Sequence, residues 1–259
     1  METKVITIAN QKGGVGKTTT ALCLGSVLES KGYKVLYVDL DKQCNISTAL
    51  KGDISKQGSY DILANKVSAK EVVQTINNKS VITSNANLNS IESILNDSKN
   101  SLGKEFRLKE SLASVGGLFD FIIVDTPPNI NNATINALTT TDYLVVVSNA
   151  NIFSLEGIIY LFEMCKSVKQ YTNKDLKIGG ILLTRFNGRA NVNKDLKDKL
   201  DEIAINNNTK VYNSIIRECI AINESQALSE DIVKYAPKSN AVLDYTDLAD
   251  EILQDIKRG

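Results

Sequence analysis

The 259-residue chain contains no histidine and four scattered cysteines. The absence of histidine removes the commonest general base and metal ligand of enzymes from consideration. No C-x-x-C pair occurs, so the sequence indicates neither a zinc knuckle nor an iron–sulfur cluster site. Isolated cysteines on apolar faces are more often reduced core residues, which is typical of a cytoplasmic protein. The four are Cys23, Cys44, Cys165 and Cys219.

The sequence also lacks an excess of either charge, because 30 Lys and Arg residues balance 30 Asp and Glu residues, and the pI is about 6.4. This balance argues against a strongly basic nucleic-acid binder, although a local basic patch is compatible with a neutral total. No apolar run approaches the roughly 20 residues of a membrane span. The amino terminus runs directly into the first predicted strand, so we expect no signal peptide and a cytoplasmic location.

Neither an internal repeat nor a linker rich in Gly, Ser or Pro interrupts the chain, so we expect one domain over residues 1–259. Apolar runs predict strands at 5–9, 35–39, 121–124, 143–147, 178–183 and 211–215. Helical spacing predicts helices at 20–28, 102–115, 130–139, 155–171, 192–206 and 241–256. This alternation predicts an α/β fold with a mostly parallel, twisted sheet and helices on both faces.

Residues 52–101 are the least informative part of the sequence, being polar and rich in Asn and Ser. Short helical patterns occur at 59–64 and 91–95, and 81–82 could form a strand. We interpret this stretch as helical excursions over one edge of the sheet, with too little apolar sequence for a second core.

Residues 11–19 concentrate glycine, lysine and threonine between the first predicted strand and the first predicted helix. Small residues let backbone N–H groups converge on phosphates, and the positive end of the helix adds to the attraction. Lys17 can then reach the β- and γ-phosphates, and the Thr18 hydroxyl can hold Mg²⁺. The strict P-loop pattern has glycine where this chain has Gln11, and a second lysine, Lys12, opens the loop. A glycine-rich turn with a solvated lysine is the alternative.

Three aspartates lie at or directly after the ends of predicted strands, at the carboxyl edge of the sheet, where open α/β sheets bind ligands. Asp125 is predicted to hold a Mg²⁺-bound water and to complete the site begun by Thr18, the alternative being an acid that merely starts a turn. Asp39 and Asp41 lie two residues apart, so in an extended segment both face the same side. We expect Asp39 nearer the metal and Asp41 orienting the attacking water, unless Asp41 is a solvated turn residue.

The motif at residues 12–19 resembles the deviant Walker A motif of the ParA/MinD ATPases, with Lys12 as their signature lysine. Residues 35–41 resemble the second acidic motif of that family, and residues 121–128 resemble its Walker B strand and switch. The resemblance implies a P-loop NTPase architecture. Three C-terminal runs resemble the Soj-like ParA partition ATPases in particular, at 216–218, 224–227 and 236–240.

The resemblance implies an ATP-dependent homodimer with ATP and Mg²⁺ between the subunits, each giving its Lys12 to the other's phosphates. It also implies weak ATP hydrolysis stimulated by a centromere-binding partner protein, non-specific DNA binding at the nucleoid and no membrane attachment. The implied catalytic residues are Lys12, Lys17 and Asp41, and the implied metal-binding residues are Thr18, Asp39 and Asp125. The implied nucleotide-binding residues are Lys12, Gly13, Gly14, Val15, Gly16, Lys17, Thr18, Thr19, Thr184, Ile216 and Arg217. The implied DNA-binding residues are Arg189, Arg217, Lys234 and Lys238, to which Lys194, Lys197 and Lys199 could add, unless these lysines only solvate helix faces.

The chain departs from the family at Lys42 and Cys44, where members often have Pro and Gly, and near Asn223, where a frequent arginine is missing. The alternatives are a MinD-like positioning ATPase, another ParA-like regulator acting on a protein partner, and a binding module without hydrolysis. A MinD-type protein predicts a basic amphipathic C-terminal helix, whereas residues 244–255 are acidic. The chain also lacks the cluster cysteines of an iron–sulfur carrier and the C-terminal tyrosine cluster of a bacterial tyrosine kinase.

Overall fold

The computed structural model describes residues 2–97, 101–149, 155–186 and 192–258. Its strands are β1 (Lys4–Ala9), β2 (Val35–Asp39), β3 (Gln74–Ile76), β4 (Lys79–Ile82), β5 (Phe121–Asp125), β6 (Tyr143–Asn149), β7 (Lys177–Phe186) and β8 (Val211–Arg217). They form one sheet in the order β3-β4-β2-β5-β1-β6-β7-β8. Within these residues only β3 runs antiparallel to its neighbour, so the predicted mostly parallel sheet is confirmed.

Helices cover both faces of this sheet, as the alternating pattern predicts. They are α1 (Lys17–Ser30), α2 (Asn45–Ala49), α3 (Ser59–Leu63), α4 (Ala69–Val72), α5 (Ile91–Asn96), α6 (Arg107–Leu112), α7 (Asn132–Thr140), α8 (Leu155–Tyr171), α9 (Val192–Asn206), α10 (Ile220–Ala227), α11 (Ile232–Tyr235) and α12 (Asn240–Arg258). Helices α1 and α10–α12 share one apolar cluster, whereas α3–α9 contribute to two clusters on the other face. No helix in the described ranges has both the length and the apolarity needed to span a bilayer.

The central strands are buried on both sides, because successive side chains of a strand point to opposite faces. In β5, Phe121 and Ile123 join the cluster under α1 and α12, whereas Ile122 and Val124 join the cluster under α3–α7. Burial on both faces explains why such strands are continuous apolar runs in the sequence.

Residues 52–101 contribute more to the fold than the sequence predicts. The hairpin of β3 and β4 extends the sheet, and β4 pairs in parallel with β2. Tyr60, Ile62 and Leu88 are buried in the same cluster as Leu36 and Val38 of β2. The stretch therefore covers part of one face of the sheet and is not confined to an edge. The sequence does not predict this, because the apolar residues of the stretch are divided among short elements that show no clear periodicity.

The predicted helix over residues 102–115 is also wrong in form. The structure has a 3-10 turn at Lys104–Phe106, then α6, then a 3-10 turn at Ala113–Val115. The buried Asn136 of α7 donates its amide to the Lys104 carbonyl (2.8 Å) and accepts the Leu108 N–H (3.1 Å). These side-chain bonds satisfy backbone groups at the start of α6 that a longer helix would satisfy internally.

Candidate nucleotide-binding site

The glycine-rich loop lies between β1 and α1, at the carboxyl edge of the sheet. Gly14 (φ 72°) and Gly16 (φ 94°) adopt left-handed conformations, which glycine adopts without a steric cost. Helix α1 begins at Lys17, and the residue before it, Gly16, has no side chain that could cap the helix. Its first N–H groups are therefore available to an anion, as the sequence predicts.

Thr184 and Asn10 hold this loop from the sheet. The buried Thr184 hydroxyl of β7 donates to the Val15 carbonyl (2.7 Å). Asn10 donates to the Val147 carbonyl of β6 (2.6 Å) and accepts the Lys12 N–H (2.9 Å). Thr184 was expected to bind nucleotide, and the structure places it under the loop as a backbone support. Sequence reasoning missed Asn10, whose signal is a polar residue directly after an apolar strand.

Lys17 is a buried cation, with 7% of the residue exposed. Its Nζ donates to the Lys12 carbonyl (3.1 Å), and no carboxylate of the described chain lies within ion-pair distance of it. Burial lowers the pKa of Lys17, while the more distant carboxylates of Asp125 and Asp41 act in the opposite direction. An ammonium held in this way is stabilised by an arriving anion.

Asp125 and Thr18 lie together at the end of β5, as predicted. The Thr18 hydroxyl donates to Asp125 Oδ2 (2.6 Å), and the carboxylate is fully buried. Asp125 Oδ1 has no hydrogen-bond partner among the described residues. Burial, with a further contribution from the charge of Asp39, raises the pKa of Asp125 to about 8. An orphaned carboxylate oxygen beside a threonine hydroxyl fits a hard divalent cation such as Mg²⁺.

Asp39 ends β2, the Leu40 N–H still bonds to the Asp125 carbonyl of β5 (3.1 Å), and the chain turns only after Asp41. Asp39 Oδ1 accepts the Asp41 N–H (3.0 Å), and its Oδ2 accepts the N–H (2.9 Å) and hydroxyl (2.7 Å) of Ser47. Burial raises the pKa of Asp39 to about 6, although these hydrogen bonds oppose the shift. Asp41 Oδ1 accepts the Gln43 N–H (3.0 Å).

Cys44 closes this turn in a left-handed conformation (φ 55°, ψ 33°) immediately before α2. Its N–H donates to the Asp41 carbonyl (2.9 Å), and its thiol donates to the Lys42 carbonyl (3.4 Å). A glycine at this position would adopt the conformation without strain, whereas a residue with a Cβ adopts it at a steric cost.

Arg217, at the end of β8, forms an ion pair with a carboxylate of α12. Its Nη2 lies 2.6 Å from Asp244 Oδ1, its Nε lies 3.1 Å from both carboxylate oxygens, and its N–H donates to Oδ2 (2.9 Å). Ile216, which precedes it and was also expected to bind nucleotide, is buried in the core. Sequence reasoning missed Asp244, whose only signal is an acid one turn into a C-terminal helix.

The remaining basic residues predicted to bind DNA are solvated where the structure describes them. Lys234 and Lys238 are exposed, and so are Lys197 and Lys199 of α9. Arg189 and the side chain of Lys194 lie outside the described residues.

The C-terminal helices contact the first turn of α1. Gln226 of α10 donates its amide to the Thr19 hydroxyl (3.2 Å). The hydroxyls of Thr20 and Tyr245, the latter on α12, lie 3.2 Å apart and are buried. The helix that begins at the glycine-rich loop is therefore in direct contact with the C-terminal segment that carries Arg217, Lys234 and Lys238.

Comparisons with known proteins agree with this geometry. A family model described as an AAA domain matches residues 3–178. The sporulation initiation inhibitor protein Soj of Bacillus subtilis (strain 168) is 35% identical over 254 residues, which are 96% of this chain and 98% of Soj. The chain belongs to the ParA/MinD family of ATPases.

Two solved structures share the ParA/MinD fold of the chain. Cobyrinic acid a,c-diamide synthase of Mycobacterium smegmatis, with a bound ATP analogue and magnesium, is 28% identical (TM-score 0.80), over 98% of this chain and 96% of that chain. The septum site-determining protein MinD of Pyrococcus horikoshii OT3, complexed with Mg-ADP, is 25% identical (TM-score 0.74), over 96% of each chain. The predicted P-loop NTPase architecture is confirmed.

Proposed function

We propose that this member of the ParA/MinD ATPases is a DNA partition ATPase, carried by one domain over residues 1–259. In this proposal it binds ATP with Mg²⁺, dimerises around the nucleotide and binds DNA without sequence preference. Hydrolysis, stimulated by a centromere-binding partner protein, then releases the DNA. The observation that supports it most is the combination of the buried ammonium of Lys17 with the Asp125 carboxylate, one oxygen of which has no hydrogen-bond partner in the described chain. The chain is also 35% identical to Soj. The proposed location is cytoplasmic and nucleoid-associated.

The residues of the loop would divide the work of nucleotide binding. The N–H groups of residues 13–19 and the Lys17 ammonium would hold the phosphates, which is consistent with the uncapped start of α1. Thr18 and Asp125 would hold Mg²⁺, which supplies charge neutralisation at the phosphates. Asp41, at 7% exposure and fixed by its own turn, would orient the attacking water. Lys12 would act on the phosphates of the second subunit.

DNA binding would use Arg189, Lys234 and Lys238 on the ATP-bound dimer. Pairing two weak patches doubles the number of phosphate contacts, so affinity should depend on ATP even though the chain has no net charge. Arg217 is an unsuitable probe of this surface, because changing it also breaks the contact between β8 and α12.

The test is a filter-binding titration of DNA at two salt concentrations, with and without a slowly hydrolysed ATP analogue. If about four to six phosphates are neutralised, log K should fall with log salt at a slope of roughly −4 to −5, equally for random and chosen sequences. The variant with Arg189→Glu, Lys234→Glu and Lys238→Glu should lose DNA but keep nucleotide binding and dimer formation. Lys12→Ala should keep ADP binding and lose both the dimer and ATP-dependent DNA binding.

Lys109→Glu is the control, since Lys109 is exposed on α6, whose apolar residues pack in a different cluster from those of the C-terminal helices. It should bind DNA as the unchanged protein does. DNA binding that does not depend on ATP, or that does not weaken with salt, would reject the DNA role and favour a regulator that acts on a protein partner.

A further inference from the structure

A buried line of hydrogen bonds connects the end of β2 to the segment that follows β4. The Ser84 N–H donates to Ser47 Oγ (2.9 Å), and the Ser47 hydroxyl donates to Asp39 Oδ2 (2.7 Å). All three residues have no exposed surface. A hydroxyl can accept one hydrogen bond and donate another, so Ser47 links the backbone of residue 84 to the Asp39 carboxylate.

The other oxygen of Asp39 extends this line to Asp41. Asp39 Oδ1 accepts the Asp41 N–H (3.0 Å) at the point where the chain leaves the strand. The next bonds run from the Gln43 N–H to Asp41 Oδ1 (3.0 Å) and from the Cys44 N–H to the Asp41 carbonyl (2.9 Å). Asp41 is therefore held in a closed turn that is fixed at one end by Asp39 and at the other by α2.

Asp39 and Asp125 differ in how their oxygens are used, although they are register partners on neighbouring strands. Both Asp39 oxygens accept bonds from its own loop, three in all. Asp125 Oδ1 has no partner within the described residues. A carboxylate that faces its own loop is suited to fixing a turn, whereas one with an orphaned oxygen is suited to a cation.

We propose that Asp39 and Ser47 are positioning residues that set the carboxylate of Asp41 for ATP hydrolysis, and that Asp39 is not a metal ligand. The inference rests on the proposed ATPase function and on the role of Asp41 in it. Ser47 acts through Asp39 and through the first turn of α2, whose N–H at residue 47 is capped by the same carboxylate. The segment after β4 completes the arrangement through the Ser84 N–H.

The experiment compares Ser47→Ala, Ser47→Thr, Asp39→Asn and Asp125→Asn in the full chain. It measures kcat, KM for ATP, the Mg²⁺ concentration for half-maximal activity, and Tm. Ser47→Ala and Asp39→Asn should lower kcat about 10- to 100-fold, as misplacement of a catalytic group does, with KM and Mg²⁺ requirement changed less than about twofold. Asp125→Asn should raise the Mg²⁺ requirement, and Ser47→Thr, which keeps the hydroxyl, should recover most of kcat.

Ser59→Ala is the matched control, because Ser59 is a fully buried serine whose hydroxyl has no partner in the described chain. It should leave kcat unchanged. A Mg²⁺ requirement raised by Asp39→Asn as much as by Asp125→Asn would overturn the proposal, and so would an unchanged kcat in Ser47→Ala.

Amide hydrogen exchange tests the same arrangement without turnover. In the nucleotide-free protein, Ser47→Ala should speed exchange at residues 41–44, whereas Ser59→Ala should not. Unchanged exchange there would refute the positioning of Asp41. If the unchanged protein bound no ATP, the proposed function would fail, and the exchange result would still decide whether Ser47 fixes the turn.

Discussion

Lys17 and Lys79 are both largely buried lysines, but they meet opposite surroundings. The Lys79 side chain, 13% exposed, forms ion pairs with Glu29 and with Asp231 (2.7 Å), and donates to the Ser26 hydroxyl (3.2 Å). Lys17 donates to a backbone carbonyl and has no carboxylate within ion-pair distance in the described chain. Within the described chain, carboxylates compensate the charge of Lys79 and none compensates that of Lys17.

The compensated cluster has a structural task. Lys79 lies on the β3–β4 hairpin, Glu29 on α1, and Asp231 directly before α11, so three separate segments meet at one ammonium. Although burial acts to raise the pKa of Asp231, the Lys79 ammonium holds it below its usual value. Lys79 shows that a buried lysine by itself does not mark a ligand site, and a buried lysine without a carboxylate partner in the described chain is the better candidate for one.

The largest effect expected is on stability, from Lys79→Met. The change leaves the largely buried Glu29 and Asp231 carboxylates without their cation, which should lower the free energy of unfolding by about 3 kcal/mol. ATP affinity of the folded protein should stay the same. Urea denaturation followed by circular dichroism measures the loss. Adding Glu29→Gln and Asp231→Asn should recover part of it, and a loss below about 1 kcal/mol would contradict the structural role.

The same change to methionine at Lys17 should act on the affinity for ATP. Lys17→Met should weaken ATP binding about 100-fold, or about 2.7 kcal/mol, because a charge-assisted contact to phosphate is lost. The nucleotide-free protein should be at least as stable as before, since an uncompensated buried ammonium is removed. Calorimetric titration with ATP measures the affinity, and an unchanged value would reject the assignment of Lys17.

A third effect should appear in the pH dependence of stability. In the folded, nucleotide-free protein Asp125 has a pKa of about 8, whereas in the unfolded chain it ionises near pH 4. The folded state therefore binds more protons between these values, and its stability falls as pH rises through this window.

Asp125→Asn cannot ionise at this position, so its stability should decline less between about pH 5 and pH 8 than that of the unchanged protein. Urea denaturation across this range, without Mg²⁺ or nucleotide, compares the two proteins. Parallel curves would show that Asp125 does not carry the effect.

The smallest effect is expected from Arg217→Gln, because the guanidinium of Arg217 is ion-paired but half exposed. Its side chain is 48% exposed while Asp244 is 7% exposed, and solvent weakens such a pair. Tm should fall slightly, and ATP affinity should not change if the guanidinium serves only α12. A clear loss of ATP affinity would instead support the predicted nucleotide contact of Arg217.

The comparison of the two lysines also separates what sequence patterns reveal from what they do not. Lys17 could be assigned because its neighbours in the chain carry the signal: a strand, three glycines and a helix start. Lys79 lies in a stretch with weak periodicity, and its partner Glu29 is 50 residues away. Nothing in the local pattern around either residue predicts that they meet.

The sequence by itself determined the sheet type, the glycine-rich loop and the strand ends that carry Asp39 and Asp125, because strand periodicity and backbone preference are local properties. The tertiary structure alone decided which polar groups bond to each other. Thr184 reaches Val15 across 169 positions, and Arg217 pairs with Asp244 on another element. Hydrogen bonds and ion pairs are directional and short in range, so they depend on how distant segments are brought together by packing, which no local pattern encodes.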